Sequence, residues 1–109
     1  MKNDVAIMKV GNGHTRDENG RRVKIYGYAP RTARALVALL KEHGCVEMTA
    51  LGESSVNNMV KAIAHAQVFL QEENKELKVE GFRFAEASMN DTDGNEMTGK
   101  LVVARLSIA

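Results

Sequence analysis

The chain contains few of the residues that build disulfide frameworks, cysteine-rich metal sites or aromatic clusters. Its 109 residues include one cysteine, Cys45, one proline, Pro30, and no tryptophan, and aromatic residues make up 5% of the total. A single thiol excludes an intramolecular disulfide and a cysteine-rich metal site. No segment approaches the roughly 20 consecutive apolar residues of a membrane span, and the N-terminal residues lack the pattern of a signal peptide. We therefore expect a cytoplasmic protein with no membrane partner.

The remaining composition is that of one soluble globular domain. Apolar residues account for 44% of the chain and charged residues for 27%, which excludes a disordered or fibrous chain. A domain of this size buries roughly two thirds of the surface of its unfolded chain, which is enough for one core. We expect a single domain over residues 1–109, without repeats or linkers.

Positive charge is concentrated in the first part of a nearly neutral chain. The 15 Lys and Arg against 14 Asp and Glu give a formal charge of +1, which argues against attraction of nucleic acid by bulk charge. Residues 1–44 nevertheless hold nine basic and four acidic residues, giving +5, and residues 45–109 hold six and ten, giving −4. Residues 21–41 include six basic residues and no acidic one. This segment predicts a local basic surface.

Two strands are predicted before the first helix. Residues 5–10, VAIMKV, are apolar and β-compatible, and the next ten residues carry two Asn-Gly pairs, which are typical of turns. Residues 21–28, RRVKIYGY, then alternate, with Val23 and Ile25 on one side and polar residues on the other. We therefore expect a second strand that pairs with the first as a hairpin.

A helix and a third strand are predicted next. Pro30 suits the first turn of a helix, because its missing N–H needs no partner there, and Gly44 suits the helix end. Between them, apolar residues recur at helical spacing, at Ala33, Leu36, Val37 and Leu40. Residues 45–51 alternate as a strand whose buried face is expected to carry Val46, Met48 and Ala50.

The rest of the chain is predicted to form a long helix and a hairpin. Ser54 and Ser55 are candidate N-caps of the helix. Its apolar stripe contains Val56, Met59, Val60, Ile63 and Leu70. Three alanines keep the helix slim enough to pack closely against a sheet, namely Ala62, Ala64 and Ala66. Residues 77–89 and 99–108 are predicted strands, connected by residues 90–95.

The chain shows no pattern typical of an enzyme or of a cofactor site. His14, His43 and His65 have no spacing that pairs two of them as metal ligands on a helix face, and His65 is interpreted as a structural or surface residue. There is no G-x-S-x-G motif, and GNGHTR lacks the ending of a phosphate loop. Asp91 and Asp93 lack the bidentate Glu that closes a calcium loop. We therefore predict a non-enzymatic protein without metal or cofactor.

Several motifs within residues 31–70 carry a resemblance to a known family. They are Leu39-Leu40-Lys41-Glu42-His43-Gly44, Val46-Glu47-Met48-x-Ala50-Leu51-Gly52 and Val56-Asn57-x-x-Val60-Lys61-Ala62-Ile63-Ala64-x-Ala66, with Lys100-Leu101-Val102-Val103 near the end of the chain. On these residues the chain resembles the stage V sporulation protein S (SpoVS) family, over somewhat more than half of its length. SpoVS proteins are in turn similar to the Alba family of small dimeric DNA- and RNA-binding proteins.

The resemblance implies an α+β two-layer sandwich with a four-stranded mixed sheet and two helices on one face. The order would be β-α-β-α-β-β, plus an extra N-terminal strand or hairpin. Either VAIMKV is the family's first strand and residues 11–28 are an insertion, or VKIYGY is the first strand and residues 1–20 are an N-terminal extension. The resemblance further implies a homodimer or higher homo-oligomer that binds nucleic acid, DNA or RNA, through the loop before the first helix, the N-terminus of the second helix and the β-hairpin arms.

Two groups of residues are the candidate nucleic-acid contacts. At the start of the second helix, hydroxyl, amide and ammonium groups could hold a phosphate, and their residues are Ser54, Ser55, Asn57 and Lys61. The second group is the basic segment around the first helix, with Arg21, Arg22, Lys24, Arg31 and Arg34.

Three departures from the Alba pattern bear on where binding occurs. Tyr28 and Ala29 stand where Alba proteins carry lysine, Glu53 stands where they carry basic residues, and the terminal hairpin tip is acidic. Because acidic side chains repel phosphate, we expect binding through residues 21–41 and Lys61, with the terminal hairpin turned away. The alternative hypothesis is a self-assembling or protein-interaction regulator of development or cell division that binds no nucleic acid.

Overall fold

Two helices lie on one face of a four-stranded mixed sheet in the computed structural model, which describes residues 5–90 and 93–109. The elements in chain order are β1 Ala6–Val10, β2 His14–Arg16, β3 Arg22–Lys24, α1 Tyr28–His43, β4 Cys45–Leu51, α2 Glu53–Gln71, β5 Leu77–Asn90 and β6 Glu96–Ile108. The main sheet has the strand order β1-β4-β6-β5, and β2 and β3 form a separate two-stranded ribbon. The predicted α+β sandwich with additional N-terminal strands is confirmed.

The first strand of the main sheet is β1, which lies within the predicted segment VAIMKV and runs parallel to β4. Its register places Ala6 opposite Val46 and Val10 opposite Ala50. The expectation that this strand forms a hairpin with residues 21–28 is wrong. β3 is shorter than predicted and pairs with β2, with His14 opposite Lys24. The glycine-containing segment after β1 turns back on itself and provides that partner, so β1 is left to complete the edge of the main sheet.

The core lies between the sheet and the two helices. The residues predicted to be buried in α1 and β4 are all buried, which confirms the helical and alternating patterns. Both helices and two strands of the main sheet contribute the largest fully buried side chains, which are Leu36, Leu40, Val46, Met48, Met59, Leu70 and Leu106. The first helix begins at Tyr28, two residues before Pro30, and it ends before Gly44 as expected.

The second helix differs from the prediction in its start and in its buried face. It begins at Glu53 after Gly52, and neither predicted serine caps it with its side chain. Its buried residues are Ser55, Met59, Ala62, Ala66 and Leu70. Val60, which was assigned to the buried stripe, is 53% exposed, because consecutive helical residues are about 100° apart and Met59 already points into the core.

The last two strands form a long antiparallel hairpin, as predicted. Its ladder extends from the Leu77–Ile108 pair to the Asn90–Glu96 pair, with a register shift between Val79 and Gly81. Asp93 lies in the connecting turn, whereas Asp91 lies outside the described residues. The acidic tip predicted from sequence therefore includes one residue that the structure describes.

The sheet face away from the helices carries a network of ion pairs. Glu47 accepts hydrogen bonds from Arg83 and Arg105, each at 3.2 Å. Glu80, at the register shift, accepts one from the Ser107 hydroxyl at 2.7 Å and one from Arg105 at 3.3 Å. The Ser107 hydrogen bond and the Arg105 guanidinium lower the pKa of Glu80. These pairs neutralise charge on a face that no helix covers.

The alanines of α2 provide a test of the helix orientation. Ala62 is 0% exposed, whereas Ala64 is exposed. We expect Ala62→Leu to lower the free energy of unfolding by about 1–3 kcal/mol, because its added methyl groups meet a packed core. The matched control, Ala64→Leu, should change it by less than about 0.5 kcal/mol. Urea unfolding followed by circular dichroism measures both, and equal effects would show that the helix is oriented differently.

Candidate functional site

An open groove of about 390 Å³ lies where the segment after β1 meets the starts of both helices. One wall is formed by that segment and the β2–β3 ribbon, and the other by α2. The polar side chains that line it are Asn12, His14, Lys24, Tyr28, Ser54, Asn57, Asn58, Lys61 and His65. Among residues 5–90 and 93–109, no lining residue is an aspartate or a glutamate.

Two hydrogen bonds fasten the segment after β1 to the helices. The Gly11 N–H donates to the Tyr28 hydroxyl at 2.7 Å, and the Asn58 side-chain amide donates to the Gly11 carbonyl at 3.1 Å. The segment passes so close to α2 that a Cβ at Gly13 would lie 2.8 Å from the Asn58 amide nitrogen. Gly13 also has a positive φ of 79°. The segment therefore needs glycine to reach this position.

The ribbon extends the same wall and positions a lysine. The Ile25 N–H donates to the Gly13 carbonyl at 2.8 Å, and the His14 N–H donates to the Asn12 side-chain oxygen at 2.9 Å. Because His14 is paired with Lys24 in the ribbon, these bonds set both residues beside the groove. The second lysine, Lys61, projects from the opposite wall on α2.

Both helix starts contribute to the positive potential of the groove. Within the described residues, neither α1 nor α2 has a side-chain hydrogen bond at its N-cap, where Gly27 and Gly52 stand. The first N–H groups of a helix have no partner within the helix and carry partial positive charge. Glu53, in the first turn of α2, offsets part of this potential at the α2 start. The α1 start and the two lysines of the lining form a site that attracts anions.

The groove brings together four of the nine residues predicted as nucleic-acid contacts, Lys24, Ser54, Asn57 and Lys61. It also contains residues that the sequence interpretation missed, among them His14, Asn58 and His65. His65 was interpreted as structural or surface, and it both lines the groove and stacks on Phe69, with ring centroids 6.4 Å apart. Asn58 and His65 could have been identified from helical spacing, because they share one side of α2 with residues 54, 57 and 61.

The other five predicted contacts lie outside the groove lining. Arg21 is in the turn of the ribbon, where its N–H donates to the Asp17 carboxylate at 2.9 Å. Arg22 lies 3.4 Å from the His14 ring nitrogen. Arg31 is exposed on the first turns of α1.

Arg34 and Ser55 have structural surroundings. The Arg34 guanidinium stacks over the Phe69 ring of α2 at 4.9 Å, a cation–π contact that joins the two helices. Ser55 is 6% exposed and faces the core, so its side chain is not presented to a ligand in this structure.

Across residues 5–90 and 93–109, no three His, Cys, Asp or Glu side chains are grouped as metal ligands. Over the same residues, neither helix combines the length and the hydropathy that crossing a bilayer requires.

Comparison with known proteins identifies the family. The family model for Stage V sporulation protein S (SpoVS) matches residues 23–104. The chain belongs to the SpoVS family, and the resemblance inferred from sequence motifs is confirmed. No curated protein matches the chain. Membership of the family indicates a regulator related to sporulation.

The fastening of the groove wall can be tested with two glycines of similar backbone conformation. Gly13 and Gly20 have φ values of 79° and 77°, but a Cβ at Gly20 meets no atom within 4 Å. Both alanine variants should lose stability from backbone strain, and Gly13→Ala should lose about 1 kcal/mol more, because it also displaces the Asn58–Gly11 hydrogen bond. Thermal unfolding measures the difference, and equal losses would contradict the close contact with Asn58.

Proposed function

We propose that the chain is a non-enzymatic regulator that binds nucleic acid, DNA or RNA, through its phosphate groups at the groove. The observation that carries this proposal is the anion-attracting lining, in which Lys24 and Lys61 stand on opposite walls beside two helix starts. Phosphate contacts from lysine and from helix N-termini supply most of the affinity of binding that does not depend on sequence.

Basic residues around the groove extend this surface. Arg21 and Arg22 lie on the ribbon next to Lys24, and Arg31 is exposed near the start of α1. They provide a path along which a phosphate backbone continues beyond the groove. The long terminal hairpin contributes less positive charge, because Lys100 on its arm is paired with Glu86 at 3.2 Å.

A homodimer is the second part of the proposal, and exposed apolar side chains support it. Phe82 and Phe84 are 53% and 71% exposed. Their partners in the ladder, Ala104 and Val102, face the helices, and residues directly opposite one another point to the same face of a sheet. The two phenylalanines therefore lie on the helix side of edge strand β5.

Val60 of α2 is a third exposed apolar side chain, on the flank of the helix that is turned away from α1. It is nine residues from Phe69, which places the two on opposite flanks of the helix. Since Phe69 contacts Arg34 of α1, Val60 faces away from α1, and α2 is the helix that packs against β5. Exposed aromatic and aliphatic side chains grouped in this way are typical of protein interfaces. We name Val60, Phe82 and Phe84 the apolar patch.

The alternative is a self-assembling regulator that binds no nucleic acid. The apolar patch favours association in either case, so it does not separate the two hypotheses. The groove separates the two hypotheses, because a protein that only self-associates does not need a lysine-lined site that attracts anions.

Nucleic-acid binding predicts a salt dependence that the groove lysines control. Removing both charges with Lys24→Gln and Lys61→Gln should lower the slope of log affinity against log salt by roughly 1–2, because each phosphate contact contributes about 0.9 for duplex DNA. Fluorescence anisotropy with duplex DNA, single-stranded DNA and RNA at several salt concentrations measures this slope.

The matched control removes two charges from the loop after α2 and from β5, with Lys75→Gln and Lys78→Gln. It should leave the slope within about 0.5 of the unchanged protein. Equal slopes for both double variants would place binding elsewhere. Absence of binding to every nucleic acid at low salt would favour the assembly hypothesis.

The dimer surface can be tested by removing the aromatic part of the apolar patch. Phe82→Ser with Phe84→Ser should raise the dimer dissociation constant by roughly a hundredfold or more, because burying one phenylalanine side chain contributes about 1.5–3 kcal/mol. Light scattering after size-exclusion chromatography measures the mass. Tyr26→Ser, which removes an aromatic ring that is 85% exposed outside the patch, is the control. A monomeric unchanged protein would contradict the proposal.

A further inference from the structure

We propose that the groove prefers phosphomonoesters, the phosphates of a strand end or a free nucleotide, over the phosphodiesters inside a strand. This inference rests on the proposed function and specifies the chemical group that enters the site. It follows from the shape of the groove and from the arrangement of its charges.

The size of the groove and its one fastened wall favour a small ligand. The segment containing Gly11 and Gly13 is fastened to Tyr28 and Asn58, which builds a wall on one side of the groove. Its volume of about 390 Å³ lies in the range of sites for small molecules, about 300–1,000 Å³. An internal phosphate is joined to the strand on both sides, so both continuations must leave a concave site of this size. A phosphomonoester has a single continuation.

The charges also match a phosphomonoester. At neutral pH such a group carries a charge of about −1.5 to −2 and three strong acceptor oxygens, whereas an internal phosphodiester carries one negative charge. Lys24 comes from the ribbon and Lys61 from α2, and no carboxylate of the described residues lines the groove with them. Two lysines that line one groove bring two positive charges to it, which matches the charge of a phosphomonoester better than that of an internal phosphodiester.

The remaining lining residues suit the rest of a nucleotide. Ser54 and Asn57 provide hydroxyl and amide hydrogen-bond donors on the same helix as Lys61, and Ile25 and the Tyr28 ring add apolar surface opposite them. Asn58 is occupied by its hydrogen bond to Gly11, so it shapes the wall. The groove therefore offers polar groups to a phosphate and, next to them, apolar surface to a sugar or base.

The test compares ligands that differ in one phosphate. A single-stranded dodecamer labelled at its 3′ end is titrated with either a 5′-phosphate or a 5′-hydroxyl, and adenosine monophosphate, adenosine and inorganic phosphate are titrated separately by calorimetry. We expect the 5′-phosphate strand to bind roughly tenfold more tightly, which corresponds to about 1.4 kcal/mol. Adenosine monophosphate should bind and adenosine should not. Binding of inorganic phosphate should be weaker than that of the nucleotide.

A variant that blocks the groove without changing its charge separates this inference from general phosphate attraction. Asn57→Trp adds a bulky side chain to the α2 wall and should reduce the preference for the 5′-phosphate to less than about twofold. Gln71→Trp, at the exposed last residue of α2, is the matched control and should leave the preference unchanged. Circular dichroism and thermal unfolding establish that both variants are folded.

The outcomes distinguish the two proposals. If both strands bind equally, with salt dependence, and adenosine monophosphate does not bind, the proposed function stands and the phosphomonoester preference is overturned. If adenosine monophosphate binds but no strand does, the groove is a nucleotide site and the nucleic-acid function fails. If no ligand binds, both proposals are overturned. If Asn57→Trp retains the full preference, the phosphate is held outside the groove and the inference is wrong.

Discussion

Parallel pairing of β1 with β4 determines where the polar residues of this chain meet. Because the two strands run in the same direction, with Val10 opposite Ala50, the segments that follow them leave the sheet at the same edge. One is the glycine segment that leads to the ribbon, and the other is the turn at Gly52 that begins α2. The α1 crossover must return to the beginning of β4, so α1 also starts near that edge. Ligand sites commonly form at the carboxyl ends of neighbouring parallel strands.

The same constraint explains why the groove has walls that differ in character. The α2 wall is regular, so its side chains at three- and four-residue spacing are presented in a row. The opposite wall is an irregular segment that depends on tight contacts, such as the Gly11 hydrogen bond to Tyr28. Lys24 reaches the groove only through the register of a short ribbon. Helical periodicity thus sets the positions of side chains on the α2 wall, and the turns and hydrogen bonds of the segment after β1 set them on the other wall.

This difference also explains how much could be predicted from the sequence. The groove residues Ser54, Asn57 and Lys61 were named from the sequence because a helix start presents such residues wherever it lies. Asn58 was missed, because its place in the groove wall depends on its hydrogen bond to Gly11, which is 47 residues away in the chain. The apolar, β-compatible residues 5–10 indicated a strand, but such a segment contains no information about which strand lies beside it. Sequential strands are often neighbours, and that tendency led to the wrong hairpin.

The distribution of charge also differs between the two parts of the chain, and tertiary contacts increase the difference that the sequence shows. Several basic residues of the second half are neutralised by glutamates in the structure, at Arg83, Lys100 and Arg105. Among the described residues, no ion pair with a carboxylate is seen for Lys24 or Lys61. The near-zero net charge is therefore an average over a neutralised sheet face and a positive groove. For binding phosphate, this local arrangement matters more than the total.

The separation of the groove from the apolar patch has a consequence for affinity. Val60 and Lys61 are consecutive in α2 and therefore point about 100° apart, so a partner seated on the apolar patch need not cover the groove. A two-fold dimer would then carry two grooves, related by its symmetry axis. Two sites that each bind phosphate weakly can hold one strand, or two strand ends, much more tightly when linked, because the second contact is made within the complex. The modest charge of one chain would in that case be sufficient, since the dimer and not the single domain sets the overall affinity.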